Sequence, residues 1–212
     1  MGFYKKGANG NVLGKFGSVI GSRWRGKHYL KGLPERSSKG PSEDQIAHRA
    51  KFAMCSKYLQ PIKEILNVGY RDKTMKRMSA YNLASRLLLN ECITGEYPNY
   101  IVDFSIMKLS AGSLVVLQNA VAVQTGSSLD ITWMGLYNGI NCFKDDMVFV
   151  VLYSETKDYY LPYLDGIRED LSYSVDISGF EVGEKYHVWV FCSSRNNLAV
   201  SNTQYLGAFE KA

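Results

Sequence analysis

Near residue 97 the spacing of apolar residues changes period, and this limits the fold more than any other feature of the chain. Over 42–94 apolar residues recur every three to four positions, the mark of helices with one buried face. After residue 97 they fall into short extended runs at 100–109, 113–118, 120–124, 129–133, 147–153, 159–163, 171–177, 185–192 and 199–206. Turn residues separate these runs at short, regular intervals, which predicts an antiparallel β-sandwich over 97–212. A chain of 212 residues holds one large domain, or one of about 100–150 residues with a second unit attached.

Two or three helices are expected within 41–96. Ser42 suits an N-cap, Gln45 three residues later completes a capping box, and Glu43 and Asp44 fall in the first turn, where the helix dipole favours negative charge. Ile46, Ala50 and Ala53 mark the expected buried face. Pro61 should end this helix near Tyr58 or Leu59 and open the next. Ile62, Ile65 and Leu66 continue at helical spacing to a stop at Gly69. Ser79 caps a third helix with a stripe of Ala80, Leu83, Ala84, Leu87 and Leu88 and a stop at Gly95. So short a helical region cannot bury its own apolar faces, so the helices should pack on the sheet.

Residues 1–40 differ from both regions. Glycines at 7, 10, 14, 17, 21, 26 and 32 alternate with Val19, Ile20, Trp24, Tyr29 and Leu30. That pattern predicts a basic β-hairpin or arm, its glycines making turns and bulges. Two readings of it stay open. The aromatics pack on the body of the protein, or Arg23, Trp24, Arg25, Lys27, Tyr29 and Lys31 form a binding arm that contacts phosphates and stacks on bases. The formal charge of +5 hides an asymmetry: residues 1–80 carry 17 Lys and Arg against 5 Asp and Glu, and residues 81–212 carry 8 against 15. Such a split suggests an anionic partner for the first part. That partner is nucleic acid, a membrane surface, or the acidic part of this chain or of a neighbouring copy.

No pattern of residues carries chemistry. His28, His48 and His187 lack the spacing of metal ligands, and Cys55, Cys92, Cys142 and Cys192 read as buried free thiols. The adjacent acids Glu43-Asp44, Asp145-Asp146 and Glu169-Asp170 diverge on either a helix or a strand and read as caps or loop charges. No cofactor, metal or catalytic residue is therefore expected. No apolar run reaches 18 residues, so no membrane span is expected. The first residues lack a signal-peptide pattern, which favours the cytoplasm.

Two resemblances add to this. Residues 113–207 resemble a fibronectin type III or immunoglobulin-like sandwich. Leu129-Asp-Ile-Thr-Trp133 matches the early strand whose tryptophan plugs the core. Phe180-Glu-Val-Gly-Glu-Lys-Tyr186 matches the tyrosine corner, which implies that the Tyr186 hydroxyl bonds back to nearby backbone. From Gly17-Ser-Val-Ile-Gly21-Ser-Arg-Trp24, through Ile93-Thr-Gly95-Glu-Tyr-Pro98-Asn, to Val200-Ser-Asn-Thr-Gln-Tyr205-Leu-Gly207, the chain also resembles an uncharacterised family from Bacteroidetes-type bacteria. That family implies no activity. The expected fold is thus α+β: a C-terminal immunoglobulin- or fibronectin III-like sandwich, two or three helices and a glycine-rich basic N-terminal segment. The expected function is a non-enzymatic structural or interaction protein that contacts protein partners or itself. One alternative is nucleic-acid binding through the basic half. The other is a carbohydrate- or ligand-binding module using Tyr159, Tyr160 and Tyr163.

Overall fold

A computed structural model describes residues 2–3, 12–24, 26–35, 39–72 and 78–211. Gly7, Gly10 and Arg25, named above, lie outside the described residues. Contacts divide the chain into two units, Met1–Ser42 and Glu43–Ala212.

The first unit is a small antiparallel sheet. Strands β1 (Gly2–Phe3), β2 (Gly14–Phe16), β3 (Val19–Trp24) and β4 (Lys27–Gly32) stand in the order β1-β4-β3-β2. The expected hairpin is its centre. Trp24 pairs with Lys27, so β3 and β4 join through a two-residue loop, and Gly26 supplies a φ of +79° there. Gly21 has a different reason. A Cβ at that position would lie 2.1 Å from the Val12 carbonyl oxygen, so only glycine lets the chain cross one face of the sheet there.

The second unit combines three helices with a sandwich. Helix α1 (Glu43–Leu59) is followed by α2 (Lys63–Gly69) and α3 (Ala80–Leu87), and a π-helical turn extends α3 to Cys92. Ser79 caps α3, its hydroxyl accepting from the Asn82 N–H at 3.1 Å. The buried face of α1 is not the expected one. Ile46 and Ala53 are exposed and Ala50 is half-buried, whereas Cys55 and Leu59 are buried and Met54 and Tyr58 pack beside them. That face turns inward because Tyr58 meets the rings of Phe104 and Tyr153 on the surface that receives it. Gly69 does end α2, but it is constrained by a close approach, since a Cβ there would lie 2.2 Å from the Leu109 carbonyl oxygen. The expected single strand over 100–109 is a hairpin, β5 (Ile93–Glu96) with β6 (Asn99–Val102), followed by a 3₁₀ turn at Phe104–Ile106. Gly95 lies within that hairpin and does not stop α3.

The sandwich is built from two sheets. One holds β10 (Tyr159–Ile167), β9 (Met147–Ser154), β12 (Lys185–Ser193) and β13 (Gln204–Glu210), in that order. The other holds β11 (Ser172–Asp176), β8 (Ser128–Met134) and β7 (Gln118–Thr125). The chain crosses between sheets after β8, β10 and β11, the connectivity of immunoglobulin-like sandwiches. Strand β13 begins at Gln204, later than the run at 199–206 suggests, because Val200 and Ser201 make only isolated bridges to Ser193 and Leu114.

Strands β9 and β12 do not alternate between core and solvent, because both of their faces are covered. Val148, Val150, Leu152, Tyr186, Val188, Val190 and Cys192 face the other sheet, joined there by Leu129, Ile131, Trp133 and Val175. Phe149, Val151, Tyr153, Trp189 and Phe191 face the opposite way into a second core with Leu59, Ile62, Leu66, Leu83, Leu88 and Phe104. Phe149 stacks on Phe191 at 4.8 Å between ring centres, and Tyr58 meets Phe104 and Tyr153 edge-on. The Trp189 indole donates to the Phe104 carbonyl at 3.3 Å. Truncating a fully buried tryptophan leaves a large cavity, so Trp189→Ala should destabilise this unit by about 3–5 kcal/mol. Guanidinium unfolding followed by circular dichroism would measure it, with Val121→Ala on the solvent face of β7 expected within about 0.5 kcal/mol of wild type.

Candidate functional site

Strand register sorts the N-terminal candidate residues onto two faces. Lys15 pairs with Ile20 and Ile20 with Lys31; Ser22 pairs with Tyr29, and Trp24 with Lys27. Paired residues share a face, so Lys15, Trp24, Lys27, Tyr29 and Lys31 lie together. Trp24 is 54% exposed, the three lysines are exposed and Tyr29 is half-buried. Arg23 pairs with His28 on the reverse face, the one Val12 crosses at Gly21. The arm expected from sequence is therefore split: Arg23 is separated from the aromatics, and Lys15, which sequence reasoning passed over, joins them.

The tyrosines of β10 are split in the same way. Tyr160 packs into the helix-side core, and Tyr159 and Tyr163 pack toward the sandwich interior. All three are half-buried and they share no surface on which a sugar ring would stack.

A site that sequence reasoning missed lies at one end of the sandwich. There the β8–β9 connection at 135–146 meets the β10–β11 turn and the β12–β13 loop. Beside exposed Lys144, Asp145, Glu169 and Arg195 it shows a group of exposed apolar residues: Ile140 is 83% exposed and Leu198 54%, with Leu136, Tyr137, Phe143 and Leu171 also open to solvent. Phe143 and Asp145 line a cleft of about 510 Å³ with Ser194, Arg195 and Asn196 of the β12–β13 loop. The tip is held by hydrogen bonds. Asn138 Oδ1 accepts from the Ile140 and Asn141 N–H groups at 3.0 Å each, and Asn141 Nδ2 donates to the Ser113 carbonyl at 3.3 Å. Leu171 is held at a φ of +60°, a sparsely populated conformation for leucine, while its carbonyl accepts from the Trp133 N–H at 3.0 Å. The sequence signal was available: Gly135-Leu-Tyr-Asn-Gly-Ile-Asn-Cys-Phe143 is an apolar-rich stretch with turn residues and no strand period.

Beneath these loops lies a buried ion pair. Arg168 is 1% exposed, and its Nε donates to Asp146 Oδ2 at 3.1 Å. Its remaining donors reach the Val115 carbonyl at 2.7 Å and the Val116 carbonyl at 3.4 Å, and its own carbonyl accepts from the Trp133 indole at 2.9 Å. Asp146 also accepts from the Phe143 N–H at 3.0 Å. The Asp145-Asp146 pair thus divides, Asp146 serving as an internal anchor and Asp145 staying on the surface. At the other end, buried Glu184 accepts from the Ser154 hydroxyl and the Glu181 N–H, 3.4 Å from Lys157. Burial pushes its pKa up, but these partners outweigh it and hold the carboxyl below its ordinary value.

Tyr186 is fully buried, but its hydroxyl donates to Gln124 Oε1 of β7 at 2.7 Å, so the tyrosine-corner bond to nearby backbone is not made. Inter-sheet pairing replaces it because a polar side chain of β7 points inward opposite the ring. His187 does not face outward as a strand histidine normally would. It is wedged 4.5 Å from the Phe104 ring, its Nδ1 is 2.8 Å from the Tyr205 hydroxyl and its Nε2 is 3.6 Å from Glu155. Burial lowers its pKa, and Glu155 only partly opposes this. All four cysteines are buried and free, and burial raises each thiol, Cys92 to about 11 and Cys192 to about 12. Among the described residues, no three His, Cys, Asp or Glu side chains gather as metal ligands, and no helix is long and apolar enough to cross a membrane.

Fold and site together define a helix-backed, immunoglobulin-like β-sandwich with an apolar, internally braced loop end. The chain belongs to the family of unknown function DUF6266, which matches residues 9–207. No curated protein matches it. Among solved structures it is similar to the FN5 domain of Drosophila Lar, at 13% identity and a TM-score of 0.31 over 45% of this chain and 92% of that domain. The sandwich assignment rests on the strand order described above.

Two measurements check the buried groups. Arg168→Ala leaves Asp146 and two carbonyls unpaired, so it should cost about 3–5 kcal/mol in chemical denaturation, and Arg168→Met should cost less than Asp146→Ala, which strands the guanidinium. His187 takes up a proton more readily unfolded than folded, so stability is fully present above the ordinary value of 6.5 and is lost as pH falls below it. The thermal midpoint should therefore drop between about pH 7 and 5, and His187→Gln should flatten that drop.

Proposed function

We propose that this protein is a non-enzymatic interaction protein that contacts protein partners, or copies of itself, through the loop end of its sandwich. One observation carries the reading: the apolar residues Leu136, Tyr137, Ile140, Phe143, Leu171 and Leu198 are exposed on loops braced by the Asn138 network and the Arg168–Asp146 pair. Apolar side chains that stay exposed on a rigid frame lose little conformational entropy on docking. Loops gathered at one end of a sandwich are also where such folds recognise partners. The absence of catalysis is part of the same proposal. It is supported by the protonated thiols and by a histidine enclosed by aromatic rings. So is a source among Bacteroidetes-type bacteria, supported by the motifs that run from Gly17 to Gly207.

A photo-crosslinking amino acid placed at position 140, and separately at exposed position 96 on the β5–β6 hairpin, tests the site in cells that express the protein naturally. Position 140 should yield a discrete protein adduct, with itself or another chain, that position 96 does not. Phe143→Asp should abolish the adduct while leaving circular dichroism unchanged. Adducts absent at 140, or equal at both positions, would overturn the reading.

A further inference from the structure

We propose that the Lys15–Trp24–Lys27–Tyr29–Lys31 face of the N-terminal sheet binds single-stranded nucleic acid, a function separate from the loop-end contact. Three observations converge. First, strand pairing sets the residues in successive rows about 7 Å apart. Lys15 and Lys31 flank Ile20 in one row, Tyr29 lies in the next, and Trp24 with Lys27 makes the third. The two aromatics are thus diagonal neighbours on adjacent strands with cations on either side. Second, Trp24 is 54% exposed, a large apolar area to leave open beside exposed lysines. An indole and a phenol ring on a sheet face offer π-surfaces to two bases, while flanking ammonium groups meet the phosphates. Third, residues 1–42 hold nine Lys and Arg against one acid, and among the described residues none of Lys15, Lys27 or Lys31 is in an ion pair.

The geometry selects single strands over duplex. Stacking on these rings needs bases splayed from their neighbours, which a paired duplex does not offer. The reverse face is unsuitable, since the chain itself crosses it at Gly21 and it bears Arg23 without an exposed indole.

The test is fluorescence anisotropy of the full chain with labelled fifteen-nucleotide dT and rU oligonucleotides across a salt series. The affinity should fall linearly on a log–log salt plot. Lys27→Gln with Lys31→Gln should reduce the slope by about 1.4, two phosphate contacts at about 0.7 each. Trp24→Ala should weaken binding about tenfold or more, Trp24→Phe should retain most of it and so report on folding, and Arg23→Gln should change it less than about twofold. No binding at low salt would overturn the proposal, as would affinity unaffected by Trp24→Ala. Equal affinity for duplex or heparin would make the face a general polyanion contact. Binding to phosphatidylserine vesicles without binding to oligonucleotide would make it a membrane contact.

Discussion

The second unit depends on burying both faces of β9 and β12 at once. In an ordinary sandwich each sheet shows one face to water, and its strands alternate. Here Trp189, Phe191, Phe149 and Tyr153 make the outer face of the four-stranded sheet as apolar as the inner one. Such a face is not stable in water, and α1, α2 and α3 cover it. Helices α2 and α3, of seven and eight residues, are too short to be stable alone and take their stability, with α1, from packing on this aromatic floor. Each part supplies the surface the other lacks, which is why sandwich and helices form one unit. The ion pair between Lys57 of α1 and Asp158, whose carboxylate also accepts from the Tyr153 hydroxyl at 2.7 Å, lies at the rim of that contact.

The buried charged groups Arg168, Asp146 and Glu184 inside this frame are hydrogen-bonded and fix geometry more than they add stability. A buried ion pair breaks even only when its remaining donors and acceptors are satisfied. Arg168 meets that condition through Asp146 and the carbonyls of Val115 and Val116, so one side chain ties together the β8–β9 connection, the β10–β11 turn and the segment before β7. Loops so anchored hold exposed apolar side chains in place, and the proposed contact at the loop end draws on that rigidity.

Much of the architecture was legible because it depends on local pattern. The change of period near residue 97, the Ser79 cap and the turn glycines follow from short-range chemistry. Other features were not local. Ile46, Ala50 and Ala53 give a plausible helical stripe, but the partner surface is aromatic and receives Tyr58 and Leu59 instead. The unbroken apolar runs of β9 and β12 did carry the signal of two-sided burial, since a strand covered on both faces loses alternation. Arg168 carried none: Ile167-Arg-Glu-Asp170 has the composition of a solvated turn.

By itself the sequence determined the order of elements, the sandwich and the basic character of the first forty residues, because propensity, spacing and charge act over a few positions. Only tertiary structure decided which residues meet. Strand register brought Lys15 and Lys31 to either side of Ile20, whereas alternation along β3 alone puts the consecutive residues Arg23 and Trp24 on opposite faces. Burial against other elements drew Arg168, Glu184 and His187 inward and left Ile140 exposed. Side-chain neighbours in space depend on packing between elements far apart in the chain, and no local pattern records that.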